Sequence, residues 1–284
     1  MFGNDKLQLV TIAQILRWAY QNIDRIDARI LLEYVLQVNH AFLLTHPDQV
    51  LSSTESECFY QLVIQRIEGM PVAYLTNERA FYDLVFNVTT AVLIPRPETE
   101  LLVDLALARI PINETCRVLD LGTGSGIIAV TIAKHRPCAN VVAIDLSVDA
   151  VSIARINANK LDINNISIIQ GDWFNGLIGE KFDLVVSNPP YIAVHDPHLE
   201  QGDLRFEPRI ALTSDDDGLA CIRDIIRAAP IHLHPDAWLL LEHGYNQAAA
   251  CRQLLIDESF SNIFSQPDLA GIIRVSGGQY NCSP

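Results

Sequence analysis

The sequence predicts a doubly wound α/β fold, a mostly parallel sheet flanked by helices, with a small helical bundle ahead of it. Three observations carry this. From Arg117 onward, apolar strand-like runs alternate with helical stretches, the pattern of right-handed crossovers between parallel strands. The run Val118-Leu119-Asp120-Leu121 enters the turn Gly122-Thr123-Gly124-Ser125-Gly126, and a helical stretch follows. The first ~70 residues read as helix only, by period and by caps.

Taken in order, Thr11-x-x-Gln14 is a capping-box pattern, and Leu9, Ile12, Leu16 and Tyr20 fall at helical spacing. A second helix is expected over Asp27 to Val38. Thr54-x-x-Glu57 opens a further helix, which Gly69 ends before Pro71. The period then shifts: Ala80 to Phe86 and Val88 to Ile94 alternate as a hairpin would. Pro97 starts a helix running to Ala108. Strands are expected at 117–121, 140–144, 166–170, 182–187 and 236–242, and helices near 125–134, 148–160, 218–229 and 245–257. Asn262 to Ser265 and Gly271 to Val275 complete seven strands as an antiparallel pair at the sheet edge. Asn188 to Asp217 has little periodicity, and a loop of ~30 residues in a compact domain is usually functional.

Composition narrows the classes. Of 284 residues, 49% are apolar, enough for a sizeable core, yet no run approaches the ~20 apolar residues of a membrane span. The start, MFGNDKLQL, carries no signal-peptide pattern, so a cytoplasmic protein is expected. The six cysteines form no CxxC pair and read as buried free thiols. The net charge of −14 argues against a nucleic-acid partner, whose affinity rests on cation–phosphate contacts. His195-x-x-His198, His232-x-His234 and Asp215-Asp216-Asp217 each lack a further ligand at a supporting spacing, so no metal is expected.

Two segments carry chemistry. The glycine turn lets a ligand approach the main chain closely, beside the unpaired N–H groups of a helix start. Its G-x-G-x-G spacing disfavours a dinucleotide. Asp145 ends the next strand, where such folds place a carboxylate for ribose hydroxyls; the alternative is a helix cap, a task Ser147 can also perform. Further on, Phe182 to Ser187 runs into Asn188-Pro189-Pro190-Tyr191. The Asn188 side-chain oxygen can accept one N–H of a planar NH₂ group. Two prolines fix the backbone, so the Pro189 carbonyl can accept the other, and Tyr191 offers a flat face. The plainer alternative is a turn at a strand end.

Together these residues resemble the class I S-adenosylmethionine-dependent methyltransferases, with their Rossmann-like sheet. More narrowly, the chain resembles the peptide chain release factor glutamine N(5)-methyltransferases, nearly end to end. The likeness includes Asp27-Ala28-Arg29, Pro71-Val72-Ala73-Tyr74-Leu75-Thr76 and Leu93-Ile94-Pro95-Arg96-Pro97-Glu98-Thr99-Glu100. It continues through the glycine turn, Gly171-Asp172-Trp173, the NPPY tetrapeptide, Glu207-Pro208 and Asp217-Gly218-Leu219. Asn77, Asp83 and His243 depart from the family pattern, as do Ile272-Ile273.

The resemblance implies a helical substrate-docking domain over 1–72, a hairpin-like connector over 73–95 and a methyltransferase domain over 96–284. It implies S-adenosylmethionine at Gly122, Thr123, Gly124, Ser125 and Gly126, with Asp145 on the ribose. Asp172 and Trp173 would border the adenine, Trp173 by stacking. Asn188 would touch both cofactor and substrate, and with Pro189, Pro190 and Tyr191 would hold the substrate. Asn188, Pro189 and Tyr191 are the expected catalytic set. The implied substrate is the glutamine of the Gly-Gly-Gln motif in class 1 release factors. A nucleobase-amine methyltransferase shares NPPY and is the second reading, with Tyr191 stacked on a flipped base. A non-catalytic cofactor-binding scaffold is the third.

Overall fold

The computed structural model describes residues 10–281 except Asp216, so Leu9, Asp216 and Cys282 lie outside the described residues. The chain divides into two compact units, Met1–Asn77 with Glu200–Phe206, and Glu78–Leu199 with Glu207–Pro284.

The first unit is helical: α1 (Ile12–Ala19), α2 (Arg25–Leu36), α3 (His40–Thr45), α4 (Ser53–Ile67) and α5 (Val72–Thr76). Thr11 and Gln14 form the expected capping box. The box before α4 is Ser52 with Glu55, two residues ahead of the expected one: Ser52 Oγ takes the Glu55 N–H at 3.2 Å, and Glu55 Oε2 takes the Ser52 N–H at 2.7 Å. Both patterns nest in one Ser/Thr/Glu run, and the extended backbone at Ser52 selects the earlier. Asp24 caps α2, so it starts before Asp27, and Gln37, at φ 54°, stops it before Val38. The six-residue α3 leaves too short a period to read. Ile15, Leu31, Leu32, Phe59 and Val63 are wholly buried at the centre. Arg66 ties the end of α4 down, with Nε on Asp27 Oδ2 at 2.7 Å and Nη1 on the carbonyls of Gly69 and Met70.

The second unit opens with a hairpin, β1 (Glu78–Phe81) and β2 (Leu84–Asn87). It is tighter than expected. Tyr82, at φ 58°, begins a two-residue turn inside the first expected strand, and Val88 to Ile94 forms no strand. Asp83 accepts a hydrogen bond from the His135 ring at 2.9 Å, so the Tyr82-Asp83 departure forms a turn without glycine. Pro97 opens a single 3₁₀ turn, Pro97–Thr99, which leads into α6 (Glu100–Leu107).

The doubly wound sheet follows: β3 (Cys116–Leu121), α7 (Ile127–His135), β4 (Ala139–Asp145), α8 (Val148–Lys160), β5 (Ile166–Gln170) and β6 (Phe182–Ser187). A short α9 (Arg209–Leu212) lies in the long loop, before α10 (Ala220–Ala228), β7 (Leu233–Glu242), α11 (Ala248–Asp257), β8 (Phe260–Pro267) and β9 (Ile273–Tyr280). The sheet has seven strands in the order β5-β4-β3-β6-β7-β9-β8. The first five are parallel, and β9 runs antiparallel to both its neighbours, as the edge pair was expected to do. Strand order reverses between β3 and β6, so the crevice at their carboxyl ends is where such a sheet takes a ligand. One apolar layer buries α6, α7 and α8 on one face, and another buries α10 and α11 on the other. Cys116 and Cys251 are buried as expected, but Cys58 and Cys138 are exposed because each occupies a solvent-facing position.

Candidate active site

Four strand ends, those of β3, β4, β5 and β6, open onto one cleft of about 260 Å³. The glycine turn forms its floor. Gly122, Gly124 and Gly126 have φ of +72°, +57° and +86°, a region that side-chain-bearing residues avoid. The N–H groups of Gly122 and Thr123 both donate to Ile144 O, at 2.8 and 2.9 Å, which draws the turn across the end of β4. Asp145 stands there with Oδ2 accepting the Gly124 N–H at 2.8 Å and Oδ1 the Ser147 N–H at 2.9 Å. Burial raises its pKa and the two amide bonds oppose that. Each carboxylate oxygen keeps a further lone pair for a ligand hydroxyl. Ser147 caps α8, taking the Ala150 N–H at 3.2 Å, so Asp145 is not needed for that task.

Beyond β5, Gly171, Asp172 and Trp173 line the same cleft. Trp173 sits at φ 47°, and its ring lies so close to Gly122 that a Cβ there would meet Cζ3 at 3.4 Å. Beyond β6, Asn188 and Pro190 enter the wall. Asn188 Nδ2 donates to Thr99 Oγ1 at 3.2 Å, and Tyr191 OH donates to Glu242 Oε1 at 3.3 Å. The cleft therefore brings together Gly122, Thr123, Gly124, Ser125, Asp145, Asp172, Trp173, Asn188 and Pro190. Gly126, Pro189 and Tyr191 are not among its walls. Gly126 instead packs on Val130 and Ala154, where a Cβ would come within 3.2 Å of either side chain.

Residues 98–202 match the family model described as methyltransferase small domain, and residues 9–76 match that described as PrmC N-terminal domain. A release factor glutamine methyltransferase of Xylella fastidiosa (strain Temecula1 / ATCC 700964) is 48% identical, over 93% of this chain and 96% of that protein. The chain belongs to the release factor glutamine methyltransferase family. The Escherichia coli (strain K12) member is 45% identical over 90% of this chain and 92% of its own length. A methyltransferase structure from Pyrococcus furiosus, 16% identical, shares the fold with a TM-score of 0.54 over 77% of this chain and 97% of that one.

Behind the cleft walls of this methyltransferase lie residues that local motifs did not reveal. Asp120 is wholly buried under the glycine turn, with Oδ2 accepting the Thr123 hydroxyl at 2.7 Å and Oδ1 without a hydrogen-bond partner among the described residues. Burial pushes its carboxyl up to about 7. The signal was present as an acid inside an apolar strand. Glu242 is likewise wholly buried and pushed up to about 7 by burial, facing Thr99 and Tyr191. Gln247 holds the NPPY backbone from behind: its Nε2 donates to Tyr191 O at 3.0 Å and Gly218 O at 3.2 Å. Gly218, at φ +72°, approaches so closely that a Cβ would fall 2.4 Å from Tyr191 O.

The long loop forms part of this site. The Ile192 N–H donates to Leu212 O at 3.0 Å and the Ser214 N–H to Ile192 O at 2.9 Å, which folds the loop back, and Arg96 pairs with the buried Glu207 at 2.5 Å. Asp215 and Asp217 cap the start of α10 and pair with Arg223. His198 pairs with Asp196, and His232 stacks on Phe174 with ring centroids 4.7 Å apart.

Proposed function

We propose that this protein transfers a methyl group from S-adenosylmethionine to the side-chain amide nitrogen of the glutamine in the Gly-Gly-Gln motif of class 1 release factors. One observation carries the reading: Asn188 stands in the wall of the same cleft as the glycine turn and Asp145, so a clamped amide and a methyl donor can meet there. The residues suit that donor. The positive-φ glycines expose backbone close to the cleft, and Asp145 keeps acceptor capacity for ribose hydroxyls. Trp173 lies beside Asp172 as a flat border for an adenine. When bound, S-adenosylmethionine supplies a methyl group already activated on a sulfonium.

The amide nitrogen is a poor nucleophile because its lone pair is delocalised, so positioning is the main task of the protein. Asn188 Oδ1 accepts one substrate N–H and the Pro189 carbonyl the other. Together they aim the nitrogen and stabilise the positive charge that grows on it, the converse of an oxyanion hole. Tyr191 closes the substrate side. No side chain has to remove a proton beforehand, since the proton leaves to water after transfer. Release-factor docking falls to residues 1–72, where Leu44 and Ile67 present exposed apolar surface. The charge of −14 supports a protein partner over nucleic acid. Among the described residues no helix is long and apolar enough to cross a membrane. The test is methyl transfer from labelled S-adenosylmethionine to purified release factor. Label should enter the factor with its Gly-Gly-Gln glutamine and not a variant lacking it; equal labelling of both would refute the reading.

A further inference from the structure

Gln247 stands at the start of α11, behind the NPPY tetrapeptide, and is 7% exposed. It is not among the cleft walls. Its side chain nonetheless joins three stretches of main chain. Oε1 accepts the Gly244 N–H at 2.9 Å. Nε2 donates to Tyr191 O at 3.0 Å and to Gly218 O at 3.2 Å. The Gln247 N–H also donates to Gly244 O at 3.0 Å, so backbone and side chain are both tied to that glycine. Gly244 is held in turn by the buried His243 ring, whose Nδ1 lies 2.9 Å from Gly244 O and whose Nε2 lies 2.8 Å from Ser276 Oγ on β9.

These partners leave the Gln247 amide one orientation. A backbone N–H can only donate and a carbonyl can only accept. Oε1 must therefore face Gly244, and the NH₂ group spends one hydrogen on each carbonyl. Gly218 makes the junction possible. At φ +72° and without a side chain, it lets the chain pass close: an added Cβ would lie 2.4 Å from Tyr191 O and 2.9 Å from Gln247 Nε2.

The consequence falls on Pro189. Strand β6 fixes the entry to the tetrapeptide, with Ser187 in register with Leu121 on β3 and Leu241 on β7. The two proline rings fix φ at positions 189 and 190. The ψ angles between them are settled by where the exit is held, and the Tyr191 carbonyl belongs to that exit. We infer that Gln247 is a positioning residue that fixes the exit of NPPY, and with it the direction of the Pro189 carbonyl that accepts a substrate N–H. This rests on reading NPPY as the clamp for an amide nitrogen.

The test begins with Gln247→Met, which fills the space with an unbranched side chain and donates nothing. With release factor as substrate, kcat should fall about a hundredfold, the scale for a small misplacement beside the reacting atoms. The KM for release factor and the Kd for S-adenosylmethionine should stay close to those of the wild type, since Gln247 lines neither the cleft nor the helical unit. A role in packing alone would lower the melting temperature and leave the kcat of the folded enzyme unchanged. A wild-type kcat in Q247M therefore overturns the proposal. So does a fall in kcat matched by a rise in the Kd for S-adenosylmethionine, because Gln247 would then be shaping the cofactor cleft. If Q247M does not fold, Gln247→Glu decides. It keeps an acceptor for the Gly244 N–H but leaves at least one of the two carbonyls without a donor, so a wild-type kcat overturns the proposal there too. Asn188→Ala separates the two levels. A wild-type rate in N188A removes the clamp itself, whereas an inactive N188A beside a fully active Q247M removes only the positioning role of Gln247.

Discussion

The Gly124 N–H donates to Asp145 Oδ2 at 2.8 Å, joining the glycine turn to the end of β4 before any ligand arrives. The carboxylate thus shapes the turn, and its remaining lone pairs are the acceptors proposed for a ribose. Asp145→Ala should weaken S-adenosylmethionine binding by about 1.5–3 kcal/mol, the range for a hydrogen bond to a charged group. Titration calorimetry measures this, and unchanged affinity would remove Asp145 from the site.

Asp120 gives a pH signature. Its carboxyl is raised by burial from 3.8 to about 7, so the folded state holds a proton that the unfolded chain has released. Its contribution to stability is fully present below the unfolded value and is lost as pH rises through about 7. Asp120→Asn cannot ionise. The difference in stability between variant and wild type should therefore grow in the variant's favour from about pH 4 to pH 7. Urea melts across that window check it; a constant difference would contradict the protonated state.

Gly126 is required at the entry to α7 for two reasons. Its φ of +86° is costly for any L-residue, and an added Cβ would press on Val130 and Ala154 at 3.2 Å. Gly126→Ala should lower stability by at least about 1–2 kcal/mol, the cost of the backbone conformation alone. An unchanged urea midpoint would show that the turn readily adopts another path.

Asn157, wholly buried on α8, binds the hairpin to the glycine turn. It accepts the Asn87 N–H at 2.6 Å and donates to Asn87 O at 2.9 Å and Ser125 O at 2.8 Å. Asn157→Ala leaves those backbone groups without their partner. A loss of about 1–3 kcal/mol per unsatisfied group applies if none finds a new one, so total destabilisation should exceed about 1 kcal/mol. Guanidinium melts measure it, paired with cofactor calorimetry, which should show weaker binding because Ser125 lies in the cleft wall.

The sequence made the cleft legible where chemistry is local. Strand, glycine turn and helix are contiguous, and Asp145 and Asn188 each end an apolar run. Strand periodicity gave the seven-stranded sheet and its antiparallel edge. What it could not give is pairing at a distance. Thr99 meets Asn188, and Tyr191 meets Glu242, across stretches of chain that no periodicity links. Asp120 is one acid within an apolar strand, and its complete burial is visible only in the fold. The hairpin was misplaced for a different reason: alternation persists through Val88 to Ile94, but the left-handed Tyr82 turns the chain earlier. The nested Ser/Thr/Glu caps before α4 offered two starts, and only the backbone at Ser52 distinguishes them.

The central claim is that Asn188 clamps the reacting amide. Single-turnover methyl transfer to release factor, with S-adenosylmethionine prebound, measures it most directly. Asn188→Ala should fold and bind cofactor, yet transfer about 10²–10³ times more slowly, the scale for losing one fixed group aimed at developing charge. Asn188→Asp keeps an oxygen in place but loses the NH₂ that meets Thr99, and should also be slow. Rates close to wild type in both variants would make Asn188 a turn residue only, and would contradict the account.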